Sequence, residues 1–510
     1  MIQRTHAVHA PGAAVFTALV AVSVLLLSGC AHTQAANPVA PGAASNPVGA
    51  LLPAAWQAPL PQGAVPLDGA QTWSRMNDPL LPALVAAAQQ ASPSLASAAA
   101  RIERARASRV AAGAALLPAV DAVGSASRVR TVPKGAITES VSAGAQAGWE
   151  LDLFGGVAAG RDAAQARLQA AQAGWHGARL SVAAEIASSY VQLRACEAQI
   201  AQTQLDADSR AQTSRLTGLS AQAGFTPPAD AALARASAAQ ARNALASQRA
   251  ACDTLLKSLV ELTDLAEPDL RQRLAAGTAR VPRPQALAVA DTLPASLLAR
   301  RPDLADAELG VLAAAGDRAQ TQAREKPQVS LSGSLNFGSG RAGGVTATGS
   351  VWSLGPLQIS FPLFDGGARA AANVAAQANY DEALAQYRSL ARRAVREVEA
   401  ALVALQSSNE READAQAAAQ DFELSLKATE ARQKGGLASL FELEAARRNA
   451  VAAQSALIDL QRERAAAWIA LVRALGGGWS ADVQVSSGGW SADVQVSSGG
   501  WSADVLTAAR

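Results

Sequence analysis

The chain has 510 residues, half of them hydrophobic, yet only 4% are aromatic. Alanine accounts for much of the apolar content; it is the best helix former and has little side chain to bury. Such a composition predicts long helices packed closely on one another rather than a bulky globular core. With 44 basic and 42 acidic residues the formal charge is +2, which gives no basis for a nucleic acid partner.

The N-terminal stretch reads as a processing signal. Arg4 precedes an apolar run of 15 residues from Ala13 to Leu27, short of the roughly 20 a membrane-spanning helix needs. The run ends in Leu27-Ser28-Gly29-Cys30, which resembles a bacterial lipobox. That resemblance implies removal of residues 1–29 and lipidation of Cys30. Ala31 after the cysteine, where aspartate favours inner-membrane retention, favours the outer membrane. Residues 30–70, rich in Pro, Ala and Gly, read as an extended tether.

Beyond the tether the chain is duplicated. Pro93 and Pro118, 25 residues apart, answer to Pro302 and Pro327, also 25 apart. Proline fits a first helical turn and forbids continuation from within, so each pair brackets a helix. Period-two segments follow at 120–130 and 140–153, and again at 329–337 and 350–363, with polar loops at 131–139 and 338–349. They predict two β-hairpins (119–153 and 328–363), each with an apolar and a polar face. Trp149, Phe154, Trp352, Phe361 and Phe364 cluster there, as an interfacial girdle or as packing aromatics. Proline-free runs then begin at Val157 and Ala368, each about 60 residues and so roughly 90–100 Å as helix. They turn at Gly224 and at Gly435 and return, giving helical hairpins at 157–266 and 368–475. The first repeat thus spans 71–268 and the second 301–478, with a Pro- and Ala-rich connector at 269–300. An 11-residue tandem in the tail at 479–510 reads as disordered or loosely attached.

Four strands cannot close a barrel in lipid, where at least about eight are needed and open edges are forbidden. Several segments carry a resemblance at this point: Trp73-Ser74-Arg75-Met76-Asn77-Asp78-Pro79-Leu80, Trp149-Glu150-Leu151-Asp152-Leu153-Phe154-Gly155, Leu298-Ala299-Arg300-Arg301-Pro302-Asp303, Pro362-Leu363-Phe364-Asp365-Gly366-Gly367 and Ala474-Leu475-Gly476-Gly477-Gly478-Trp479. Over about residues 70–478 the chain resembles a TolC-like outer-membrane efflux channel of the lipid-anchored NodT/OprM type. The resemblance implies a mainly α fold with a β-barrel part. A homotrimer would form a 12-stranded outer-membrane β-barrel continued by a 12-helix periplasmic α-barrel. It further implies a passive exit duct for small molecules, served by a periplasmic adaptor and an inner-membrane pump of the resistance-nodulation-division type. A polypeptide export duct, or a lipid-anchored periplasmic coiled-coil scaffold, are the alternatives.

The same resemblance assigns roles to residues. Leu440 and Glu444 match the family's periplasmic constriction, where three carboxylates would ring the pore; otherwise Glu444 is a solvated carboxylate paired with Arg447 or Arg448. Gly224, Phe225 and Thr226 at one tip, and Gly435, Gly436 and Leu437 at the other, are candidate adaptor contacts, although helix reversal alone accounts for the glycines. Cys196 and Cys252 each lie 28 residues from Gly224, a spacing that sets them at one height on antiparallel helices and allows a disulfide in the oxidising periplasm. His6, His9, His32 and His176 are scattered, and no metal spacing, nucleophile elbow or phosphate loop occurs. Neither an enzyme nor a cofactor is expected.

Overall fold

The computed structural model describes residues 55–59, 72–131, 136–277, 279–285 and 300–479. Cys30, the signal segment and the tandem beyond Trp479 lie outside the described residues. The elements run α1 (Leu80–Ala91), α2 (Pro93–Ala114), β1 (Ala119–Thr131), β2 (Ala136–Leu151), α3 (Gly156–Gln222), α4 (Pro228–Thr263), α5 (Glu267–Ala276), α6 (Pro302–Ala323), β3 (Gln328–Ala342), β4 (Val345–Ser360), α7 (Ala368–Lys434) and α8 (Leu440–Ala474). A 3-10 turn at Thr72–Met76 precedes α1, and another at Gly476–Gly478 follows α8.

The duplication extends to element lengths. α2 and α6 have 22 residues each, α3 and α7 have 67 each, and α4 and α8 have 36 and 35. Prolines start α2 and α6 in their first turns, and the Ser92 hydroxyl caps α2 by accepting from the Leu95 amide at 3.4 Å. Both helices end four residues before the second proline, because that proline pushes the residue ahead of it towards extended backbone.

The four strands form one antiparallel sheet in the order β1-β2-β3-β4. They are longer at the far end than the alternation predicted. The segment 338–349, read as a polar loop, is mostly ladder, and β3 meets β4 across Gly343 and Gly344, whose φ values are +58° and +89°. Two left-handed residues make the tight turn that matches strand twist. At the near end the strands stop at Leu151 and Ser360 rather than at 153 and 363. There Asp152 accepts from the Ala158 amide at 2.7 Å, and Asp365 accepts from the Gly367 and Arg369 amides at 3.0 and 3.1 Å. Both aspartates satisfy orphan N–H groups at the starts of the long helices.

The connector is more structured than its composition suggested. α5 occupies Glu267–Ala276 and buries Leu270 and Leu274. Val281 is buried too, and the Gln285 carbonyl accepts from the Trp468 indole at 2.9 Å. Part of the tether is also docked: the Gln57 and Ala58 amides donate to the Glu399 carboxylate at 2.7 and 2.9 Å, and Trp56 packs on the core.

That core lies part-way along the long helices. Trp73 meets Trp468 edge-on with ring centroids 6.2 Å apart, and Met76, Leu81, Leu84, Ile186, Leu259 and Leu471 are fully buried around them. Tyr190 stands 34 positions into α3, so the core sits about 50 Å from the sheet end of that helix. Alanine carries the rest of the packing, which lets α3, α4, α7 and α8 run side by side without bulky seams.

Candidate functional site

The sheet has two chemically distinct faces, fixed by its register. Val120, Ala147, Gly333 and Leu354 align across the strands on one face, and Leu335 opposes Trp352 on the same face. A bulge maintains it: Leu331 pairs with Leu357 but Gly333 with Leu354, so β4 carries one extra residue at Gly355-Pro356. The extra residue resets the alternation. Leu357 and Ile359 therefore share a face with Trp352 and Leu354, and all four are exposed. The opposite face is a lattice of small hydroxyls. Ser125 bonds Ser142 at 2.9 Å, Ser127 bonds Ser140 at 2.8 Å, and Ser334 bonds Ser353 at 2.9 Å. β1 and β4 are the sheet's edges, each paired on one side only.

The aromatic group is divided. Trp352, Phe361 and Phe364 are exposed, as is Phe154 at the start of the turn into α3. Trp149 instead donates its indole N–H to the Leu116 carbonyl at 3.0 Å, which ties the base of β2 to the end of α2.

At the far ends of the helices, Gly224 (φ +80°) and Gly436 (φ +74°) take the left-handed conformation. The Phe225 amide reaches back to the Ser220 carbonyl at 2.9 Å, and the Leu437 amide to the Arg432 carbonyl at 2.8 Å. This is the same six-to-one closure at both tips. The structural counterpart of Gly224 is therefore Gly436, not Gly435, whose φ is −81°. Phe225 and Leu437 are 87% and 74% exposed. Thr226 is partly covered and bonds the Ser220 hydroxyl at 2.6 Å.

The candidate constriction differs from a ring of solvent-facing carboxylates. Glu444 is 6% exposed, on the side of α8 that packs against α3. It accepts from the Ser209 hydroxyl at 3.0 Å and from Thr213, with Arg447 at 3.7 Å. Arg447 also reaches the Ser209 hydroxyl at 2.8 Å and Glu430 at 3.2 Å. Helical spacing alone pointed to a solvated pair; burial makes Glu444 a clasp between the two hairpins. Leu440, one turn nearer the tip, is half-buried.

Cys196 and Cys252 have Cα atoms 5.6 Å apart and their sulfurs are bonded, which joins α3 to α4. Among the described residues two arginines are buried, a role the sequence did not assign to either. Arg194 donates to Tyr190 at 2.9 Å, to Glu197 at 2.8 Å and to the Leu274 carbonyl closing α5. Tyr190 in turn donates to Asp78 at 2.7 Å. Burial, reinforced by that bond, holds the Tyr190 phenol well above its usual range, so it remains the donor. Arg301 donates to Asp303 at 2.7 Å, to Glu397 at 2.9 Å and to the Ala474 carbonyl closing α8 at 3.1 Å. Burial opposes the Asp303 charge, but the Arg301 guanidinium outweighs it and holds the carboxyl below its ordinary range. Among the described residues no group of His, Cys, Asp and Glu could hold a metal ion.

The family profile described as outer membrane efflux protein matches residues 84–264 and 293–477. The chain belongs to this family. The two matched stretches fall on the two copies of the repeat. The efflux protein is 29% identical to the pyoverdine export outer membrane protein OpmQ of Pseudomonas putida, over 84% of this chain and 92% of that one. It is also 29% identical to the toluene efflux pump outer membrane protein TtgC of the same species, over 89% and 94%. Among solved structures, the outer membrane protein VceC of Vibrio cholerae superposes with a TM-score of 0.71 at 26% identity, covering 81% of this chain and 99% of that one. The protein is accordingly an outer-membrane efflux factor, related to transport proteins rather than to enzymes.

Proposed function

We propose that three copies of this efflux protein join into one passive duct. The sheet carries the reading. It offers an apolar face, a hydroxyl-lined face and two open edges, and open edges are not tolerated in lipid. Three four-stranded sheets, β4 of one against β1 of the next, give twelve strands with the serine lattice lining water and the apolar face meeting lipid. Below the membrane, α3, α4, α7 and α8 of three copies continue the wall as twelve helices. Cys30 anchors each copy by lipid, and the tips present Gly224, Phe225, Thr226, Gly435, Gly436 and Leu437 to a periplasmic adaptor that couples the duct to a resistance-nodulation-division pump. The relatives named for pyoverdine export and toluene efflux support small molecules as the cargo.

In this duct the Leu440–Glu444 turn forms the periplasmic constriction, with the clasp to Ser209 and Thr213 as its closed position. The test is reconstitution of the full chain in planar bilayers after cross-linking. A heat-sensitive trimer with discrete conductance is the expected result. A monomer without conductance would overturn the reading.

A further inference from the structure

The apolar face of the sheet ends in a row of charge that the duct itself does not use. Arg128, Glu139 and Arg341 lie opposite one another across β1, β2 and β3, on the same face as Val141, Leu335 and Trp352. Arg130, two positions on from Arg128, shares that face and opposes Ile137. Glu139 reaches Arg128 at 3.3 Å, with Arg128 itself 70% exposed. Arg341 opposes Thr346 across β4. Among the described residues, Arg130 and Arg341 have no carboxylate within ion-pair distance, and Glu139, which faces Arg341 across β2 and β3, is paired with Arg128. Each copy thus leaves two uncompensated guanidinium groups on the outward face, at the end of the strands remote from the helices.

Their height follows from strand geometry and rests on the trimeric barrel proposed above. Val329 to Ser339 is ten steps along β3. At about 3.4 Å per step and a tilt of about 40° this spans about 26 Å, close to the roughly 25 Å apolar band of such barrels. Arg341 is two steps further, about 5 Å beyond the band. There an outward-facing arginine meets neither hydrocarbon nor lumen but the headgroups of the outer leaflet. Arginine is suited to planar, bidentate recognition of phosphate. The geometry points to a rim of six free arginines in the trimer (Arg130 and Arg341 of each copy), with Arg128 beside them, that binds phosphate groups of outer-leaflet lipid.

Native mass spectrometry of the full-length, detergent-solubilised trimer tests this. Diphosphoryl lipid A, a zwitterionic phospholipid and inorganic phosphate serve as separate probes, against wild type and the triple variant Arg128→Gln/Arg130→Gln/Arg341→Gln. Diphosphoryl lipid A should bind wild type about tenfold more tightly than the variant, as loss of several partly exposed charge-assisted contacts implies. Zwitterionic lipid should not distinguish the two proteins. Equal lipid A binding by both would overturn the proposal, and so would wild-type retention of inorganic phosphate as strong as that of the lipid. The variant loses the exposed Arg128–Glu139 pair but keeps every backbone ladder bond of the sheet, so it should remain trimeric with wild-type conductance. Absence of a wild-type trimer would instead remove the duct reading, which separates the two failures.

Discussion

The two helical hairpins share a backbone plan and differ in what holds them shut. Their left-handed tip glycines, Gly224 and Gly436, are 212 positions apart. By that offset Cys196 and Cys252 correspond to Ser408 and Arg464. The first hairpin therefore carries a covalent bridge where the second carries a buried serine and an arginine. Arg464 pairs with Glu412 and Arg411 with Glu463 at 2.8 Å, so beyond their shared apolar core the ties between α7 and α8 at this height are partly exposed ion pairs rather than a covalent bond. α8 is then clasped to the first hairpin through Glu444. A covalent hairpin is a fixed post, whereas hydrogen bonds and partly exposed ion pairs can exchange partners at modest cost. In the duct proposed above, α7 and α8 are therefore the helices whose ties can exchange on opening.

The largest effect should come from removing the post. The bridge closes a loop of 56 residues, for which chain entropy gives about 4 kcal/mol. Cys196→Ser/Cys252→Ser should raise hydrogen exchange along α3 and α4 while leaving α7 and α8 unchanged, read by mass spectrometry with and without reductant on wild type. Equal acceleration in both hairpins would end the distinction.

Next is the buried arginine that closes the second copy. Arg194 and Arg301 each bond a carbonyl at the end of a helix, α5 and α8 respectively. Breaking a fully buried ion pair costs about 3–5 kcal/mol. Asp303 and Glu397 are 40% and 36% exposed, so Arg301→Ala should cost less, about 2–3 kcal/mol in denaturant unfolding. The pH dependence has a definite sign. Because the folded pKa of Asp303 is depressed, its contribution is complete above the ordinary carboxylate range and disappears as pH falls through the lowered value. Asp303→Asn should flatten the acid limb of the melting curve, and an unaltered limb would show that other carboxylates set it.

Much of this is legible in the amino-acid sequence. The paired prolines marked α2 and α6, the period-two alternation marked the hairpins, and the equal spacing of Cys196 and Cys252 from Gly224 marked their common height. What escaped has a physical reason in each case. Gly338, Gly340 and Gly349 read as loop because they lack side chains, yet a ladder needs only backbone. α5 was hidden in a connector because ten residues with Leu270 and Leu274 as their buried positions give too short a period to detect. Tyr190 stands in an alanine-rich run that does not mark it, although its hydroxyl completes a polar chain between Asp78 and Arg194. The inward turn of Glu444 depends on Ser209 and Thr213, more than 230 residues away, and no local pattern announces a partner at that distance.

Glu444 gives a smaller stability effect with a functional signature. Glu444→Ala removes the acceptor of two hydroxyls and should cost about 1–3 kcal/mol. It should speed exchange over residues 440–450 and raise conductance in planar bilayers, while exchange around Cys196 and Cys252 stays as in wild type. Faster exchange with unchanged conductance would leave Glu444 as a structural tie alone.

The smallest effect belongs to the second tip itself. Ser439 and Glu442 form a reciprocal cap: the Ser439 amide donates to Glu442 at 2.6 Å, and the Glu442 amide donates to the Ser439 hydroxyl at 3.1 Å. The backbone bond from Ser439 lowers the Glu442 pKa, so the cap is intact above the ordinary glutamate range and weakens as pH falls through the depressed value. The first tip has Pro227-Pro228 in the equivalent turn, and proline needs no titratable partner to begin a helix. Acidification should therefore fray the start of α8 before the start of α4. Amide exchange at Leu440 to Leu443 against Ala229 to Ala232 across pH 5 to 3, corrected for intrinsic rates, measures the difference. Glu442→Gln retains an acceptor without the charge, so it should abolish the pH dependence at the second tip and leave the first tip as it was.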